Sequence, residues 1–153
     1  HLVRALENHG VLVVFSPNQT ASVDAYSFDS HLRPVVILNP VKRDYYRQRF
    51  DVAHELGHLI MHSDAEPGGR IVEEQAHRFA SELLMPEARI ADLLPTAMNR
   101  SAWVTLAKLK EQWGVSWATV EGVGVFAPVS HADTAVGLFL ISAARSLLRS
   151  PAR

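Results

Sequence analysis

Apolar residues recur with helical spacing through residues 44–62: Phe50, Ala53, Leu56 or Gly57, and Ile60 fall on one stripe, and Gly57 alone interrupts a run otherwise free of Gly and Pro. That pattern predicts a long helix. Ahead of it, Leu2 to His9 followed by Gly10 reads as a short helix with a glycine stop. Val11 to Phe15 reads as a buried strand ended by Ser16-Pro17-Asn18, Asp24 to Phe28 as a partly exposed strand, and Arg33 to Pro40 as a β-branched strand bracketed by prolines. A small sheet therefore occupies the first forty residues.

After the long helix, a polar loop over Ser63 to Arg70 leads into a second helix, Ile71 to Met85, which Pro86 ends. Pro86 and Glu87 begin a further helix, because proline is tolerated in a first turn. Ser101 is placed to cap a helix running to Trp113, Gly114 to close it, and Ser116 to cap another, so Ser101 to Val120 has the outline of a helix-turn-helix pair. Beyond Glu121 the pattern weakens to a loop and, from Ala135 to Leu148, a terminal helix. The expected fold class is α+β in a single domain over residues 1–153: a helix and small sheet (1–40), two long helices (44–86), a helical hairpin (87–120) and a tail (121–153).

Composition narrows the functional classes. The 153 residues suit one folded domain, with 48% hydrophobic and 20% charged residues. A formal net charge of -1 gives no overall reason to bind nucleic acid or an anionic membrane. There is no cysteine, which excludes disulfides and thiolate metal sites and leaves histidine and carboxylate as ligands. The longest apolar run, Ala135 to Ala144, is about half of the ~20 residues that a membrane helix needs. A soluble, cytoplasmic protein is expected. The opening at His1, without an initiator Met or a signal-peptide layout, is what an excised part of a longer protein would give.

The chemistry concentrates in His54-Glu55-Leu56-Gly57-His58. Residues four apart on a helix lie ~40° from one another, so the two imidazoles project from one face and can share an ion. Glu55 sits on the flank of that face, where a carboxylate can act as general base without itself ligating. Gly57 costs ~1 kcal/mol against alanine inside a helix, which points to another element packed close to that turn. A catalytic zinc takes three protein ligands and keeps a position for water. The second helix offers Glu73, Glu74 and His77; Glu73 is the choice, since it shares a face with Ala76, His77 and Ala80, whose small alanines permit close approach. Glu74 points elsewhere, into solvent.

His62 lies ~80° around the helix from His54 and ~12 Å along it, too far to join the same ion while the helix stays regular. It and His77 stand as candidates for orienting a ligand or for stabilising an oxyanion, a role open also to Tyr45, Tyr46 and His131. A three-histidine metzincin site is excluded, because Met61 and Asp64 stand where its Gly and third His would be. Zn2+ is favoured by the donor types, although another divalent ion accepts the same set.

The stretch Arg49 to His62 (RFDVAHELGHLIMH), followed by Glu73 to Pro86 (EEQAHRFASELLMP), resembles the ImmA/IrrE metallopeptidase family, over about residues 1–120. The resemblance implies a zincin-like fold, with metal held by His54, His58 and Glu73, Glu55 as the catalytic residue, and regulated cleavage of a transcriptional repressor or regulator. It also implies a partner carrying a DNA-binding helix-turn-helix domain, fused to the chain or encoded beside it. Two departures stand out. His77 occupies a position where the family more often has Asn or Asp, and the tail after Glu121 lacks an arginine-containing continuation.

Two rival classes have their own signatures. A non-catalytic sensing or regulatory module of a transcription factor would have a metal site closed by a fourth ligand, His62 or His77. A DNA reader built on Ser101 to Val120 would use Lys108 and Lys110, but its second helix offers Trp117 and Glu121 and no Arg or Lys, so a packing hairpin accounts for it better and direct nucleic-acid binding is not expected. The basic run Lys42 to Arg49 reads as a solvated helix start, and Trp103, Trp113 and Trp117 as core or interface residues.

Overall fold

The computed structural model describes residues 2–16, 23–42, 44–62, 68–96, 99–121 and 123. The loop and terminal helix expected after Glu121, and most of the expected 63–70 loop, lie outside them. The elements in order are α1 (Leu2–Asn8), β1 (Leu12–Phe15), β2 (Ala25–Asp29), β3 (Pro34–Leu38), α2 (Tyr45–Met61), α3 (Arg70–Leu84), α4 (Glu87–Ile90), α5 (Arg100–Trp113) and α6 (Trp117–Val120), with 3-10 turns at Pro40–Lys42 and Ala91–Leu93. This is the expected α+β architecture.

The sheet has the order β1-β3-β2, so β3 is central and β2 is an edge among the described residues. β1 runs parallel to β3, pairing Val13 with Val36, and β2 runs antiparallel to it, pairing Ser27 with Val36 and Tyr26 with Ile37. Strand side chains alternate between faces, so Ser27 shares the helix-facing side with Val36 while Tyr26 and Phe28 project from the opposite side, stacked with ring centroids 6.5 Å apart.

α2 is the axis of the molecule. Its N-terminus is capped by Asp44, whose side chain accepts from the backbone N–H groups of Tyr46 and Arg47. One side buries Val52 and Leu56 with Leu6, Val13, Val36, Leu38 and Phe79. The other side buries Phe50 and Ala53 with Ala80, Leu84, Met85, Ile90, Leu106 and Leu109. Each Val, Leu, Ile, Phe or Met side chain among these contributes about 1.5–3 kcal/mol on burial. Because α2 is covered on two sides, its apolar arc is wider than one stripe. That corrects the sequence reading at two positions: Val52, which the single stripe omitted, is fully buried, and Ile60, which it included, is 37% exposed near the helix end.

Gly57 lies where α2 and α3 touch. A Cβ there would meet Phe79 Cδ1 at 3.1 Å and the Ala76 Cα at 3.3 Å, which explains why the helix tolerates a glycine. α3 presents Ala76 and Ala80, both fully buried, to this contact.

The helical hairpin closes the lower core through Val115 and Val120. Its first cap is Asn99, not Ser101: the Asn99 side chain, on extended backbone, accepts from Ala102 N–H at 2.9 Å and the helix begins at Arg100. Gly114 closes α5 in the left-handed conformation (φ 59°), and Ser116 caps α6 through Thr119 N–H. In the basic run Arg47 is exposed, as a solvated helix start requires, whereas Arg49 is half-buried. Arg49 Nη1 donates to the carbonyls of Trp113 and Gly114 at 3.0 and 2.9 Å, satisfying the end of α5, and Arg47 pairs with Asp24. Trp113 packs against the core, whereas Trp103 and Trp117 are surface residues that meet edge to face, centroids 6.1 Å apart.

Candidate metal centre

α2 and α3 bring three side chains to one point. His54 Nε2 and His58 Nε2 lie 3.0 Å apart, as one helical turn dictates, and Glu73 Oε2 reaches across from α3 to 3.1 Å from the first and 3.6 Å from the second. Ligands bonded to zinc at about 2.0–2.1 Å in a tetrahedron lie roughly 3.3–3.4 Å from one another. The three donor atoms thus already have the mutual spacing of one ion's ligands, and two imidazoles with a carboxylate suit a divalent cation. The close contact at Gly57 is what permits it, since α3 carries Glu73 three residues before Ala76.

The environment keeps these imidazoles available as neutral donors. Burial pushes His54 below its ordinary range, reinforced by the neighbouring His58 and opposed by Glu73. Burial also lowers His58, with Glu73 opposing and His62 reinforcing the shift. Packing against Phe50 and His77 holds the His54 ring, with centroids 6.1 and 6.2 Å away, while its Nδ1 is buried without a hydrogen-bond partner among the described residues.

Glu55 is only 7% exposed, turned toward the sheet side of the cleft. Ser27 Oγ on β2 donates to Glu55 Oε2 at 2.6 Å and approaches the Glu55 carbonyl oxygen at 3.2 Å. Burial raises the Glu55 carboxyl above its ordinary range; the Ser27 hydrogen bond opposes that shift, and the charges of Glu73 and Asp51 add to it. A carboxylate in such a setting is suited to taking up a proton and releasing it again.

The remaining candidates are placed plainly. His62 ends α2, its Nδ1 3.1 Å from His58 Nδ1 and its Nε2 2.9 Å from Gln75 Oε1, so its ring backs the site from outside. His77 turns away from the three donors: its Nε2 donates to the Ala118 carbonyl at 3.1 Å and its ring meets Phe50 edge to face at 4.7 Å, tying α3 to α6. Glu74 is exposed and pairs with Arg70. Tyr45 and Tyr46 do not line the cleft, while Tyr26 does, and His131 lies outside the described residues. Ser27 and Gln75 were absent from the sequence reading. The only signal for Ser27 was a hydroxyl between two aromatics in a strand, and Gln75 gave none.

His54, Glu55, His58, Glu73 and Ser27 open onto a cleft of about 690 Å³, walled by β2 on one side and by Val72, Glu73 and His77 of α3 on the other, with α2 as its floor. Consecutive β2 residues from Ala25 to Asp29 line it, so the strand turns its edge into the cleft. The described residues contain no helix long and apolar enough to cross a membrane. Residues 6–121 match the family model for the IrrE N-terminal-like domain, a peptidase family. A comparison with curated proteins finds no match.

Proposed function

We propose that this chain, which belongs to the IrrE N-terminal-like metallopeptidase family, is a zinc-dependent endopeptidase that hydrolyses a peptide bond in a protein substrate, a helix-turn-helix transcriptional regulator. The observation that carries the reading is the convergence of His54 Nε2, His58 Nε2 and Glu73 Oε2 within 3.0–3.6 Å of one another beside a buried, proton-accepting Glu55 in an open cleft.

His54, His58 and Glu73 would hold the ion. When bound, a divalent cation supplies Lewis acidity, making water easier to deprotonate and a peptide carbonyl easier to attack. Glu55 takes the proton from the attacking water. Ser27 occupies Oε2, which leaves Oε1 as the oxygen that accepts this proton and passes it to the departing amine. The raised Glu55 favours uptake of the water proton, and a protonated carboxyl still releases that proton readily to the more basic amine. Among the described residues no strand pairs with the outer edge of β2, and an extended peptide pairing there would lay the scissile bond across the α2 floor.

The rival, a sensing module with a closed metal site, needs a fourth protein ligand. Both histidines that might have supplied one are engaged elsewhere, His62 with His58 and Gln75 and His77 with Ala118, which favours the catalytic reading. The test is to co-express the chain with helix-turn-helix regulators encoded beside its gene and follow their length. A single chelator-sensitive cut supports the peptidase; intact regulators throughout support the sensing module.

A further inference from the structure

His58 uses both of its ring nitrogens. Nε2 faces the metal-site donors, 3.0 Å from His54 Nε2 and 3.6 Å from Glu73 Oε2, while Nδ1 faces outward, 3.1 Å from His62 Nδ1. His62 in turn places Nε2 2.9 Å from Gln75 Oε1 on α3. A neutral imidazole carries one N–H and one bare nitrogen. If Nε2 of His58 is to donate to an ion, its hydrogen must be on Nδ1. That N–H can donate only to a bare Nδ1 on His62, which forces the His62 hydrogen onto Nε2, where the Gln75 amide oxygen accepts it. With the Gln75 amide oxygen facing His62, the two rings and the amide have one self-consistent polarity, and it is the one that bares His58 Nε2.

We propose that His62 and Gln75 are positioning residues that fix His58 in the tautomer able to ligate, with Gln75 setting the polarity of a two-ring relay. The inference rests on the metal-site reading above. Local geometry supplies the rest. The backbone N–H of His62 still closes the last turn of α2 by donating to the His58 carbonyl at 2.9 Å, which sets the two rings 5.2 Å apart on one side of the helix end. α3 contributes twice, Glu73 to the donor cluster and Gln75 to the relay behind it. The contrast with His54 is direct: its Nδ1 has no such partner among the described residues and its ring is held by packing. Without the relay, the Glu73 carboxylate 3.6 Å from His58 Nε2 would draw the ring hydrogen to the nitrogen that must be bare.

The test uses His62→Phe, which keeps a ring but removes its nitrogens, and Gln75→Met, which keeps length but removes the acceptor without changing charge. Zinc affinity is measured by competition with a chromogenic chelator, and the tautomer of His58 is read from long-range proton–nitrogen NMR spectra of the metal-free proteins. The relay predicts His58 protonated on Nδ1 in the wild type and shifted toward Nε2 in His62→Phe. It predicts zinc binding weaker by about 10-fold in His62→Phe, the scale of a lost outer hydrogen bond to a ligand, and a smaller loss in Gln75→Met. Melting temperatures should stay unchanged, since His62 and Gln75 lie outside both core clusters. Wild-type His58 protonated on Nε2, or variants that bind zinc as tightly as the wild type, would overturn the relay. Absence of zinc binding by the wild type would instead overturn the metal-site reading, and the NMR tautomer would still decide the relay.

Discussion

Ser27 on the edge strand and Glu55 on the central helix are joined by a 2.6 Å hydrogen bond, which couples the cleft wall to the proposed general base. Burial and this bond act on Glu55 in opposite directions, burial raising its pKa and the bond lowering it.

Ser27→Ala removes the lowering influence, so Glu55 should hold its proton to higher pH. The acid limb of the kcat/KM profile, where Glu55 must be ionised to act, should move to higher pH. On that limb kcat/KM should fall by roughly 10-fold, the scale of one hydrogen bond to a charged group. A pH–rate series on the two proteins checks this; superimposable acid limbs would contradict it.

Gly57→Ala should weaken both fold and site. The new methyl gains up to ~1 kcal/mol of helix propensity, but it meets buried Phe79 and the α3 backbone at 3.1–3.4 Å, and overpacking of this kind costs about 1–3 kcal/mol. The expected net is a loss of about 1 kcal/mol in chemical denaturation, together with weaker metal binding, because α3 must retreat and takes Glu73 with it. A stabilised variant that binds metal as before would contradict the account.

Glu73 and Glu74 are adjacent in sequence and opposite in role. Glu73→Gln should weaken zinc binding by at least about 100-fold, beyond the range of outer-sphere changes. Glu74→Gln, which breaks an exposed pair with Arg70 worth about 0–1 kcal/mol, should leave zinc binding unchanged. Isothermal titration of both variants separates them.

The metal-free protein should lose stability as pH falls through the histidine range. His54 and His58 are both held below their ordinary value of 6.5, so between the folded and unfolded pKa values the unfolded chain binds more protons. Their contribution is complete above about pH 6.5 and is lost on descending below it. Glu55 acts oppositely. Its raised pKa makes the buried charge a cost at neutral pH that is relieved on protonation, so Glu55→Gln should raise the melting temperature of the metal-free protein at pH 7. Thermal melts across pH test both directions.

What the sequence disclosed, and what it hid, follow from how far each relationship reaches along the chain. The α2 helix, its Asp44 start and the pairing of His54 with His58 are local, fixed by spacing within one turn. Glu73 was within reach because a glycine on one helix and alanines on the next told of close packing, which the 3.1–3.4 Å clearances at Gly57 explain. Ser27 could not be found this way: its place beside Glu55 depends on sheet register, 28 residues away in sequence. The relay was hidden for a related reason. Helical geometry correctly kept the His62 ring out of the three-donor cluster, but the same i,i+4 spacing that joins His54 to His58 also joins His58 to His62 through its other nitrogen. The wider apolar arc of α2, with Val52 buried and Ile60 exposed, required knowing that two layers cover the helix.

The most direct test of the central claim is to purify the wild type and Glu55→Gln, quantify bound metal in each, and follow cleavage of a co-expressed helix-turn-helix regulator. The account predicts about one zinc per chain in both proteins, since Glu55 is not among the three donors, and cleavage by the wild type alone. Failure of both proteins to bind metal, or equal cleavage by both, would contradict it.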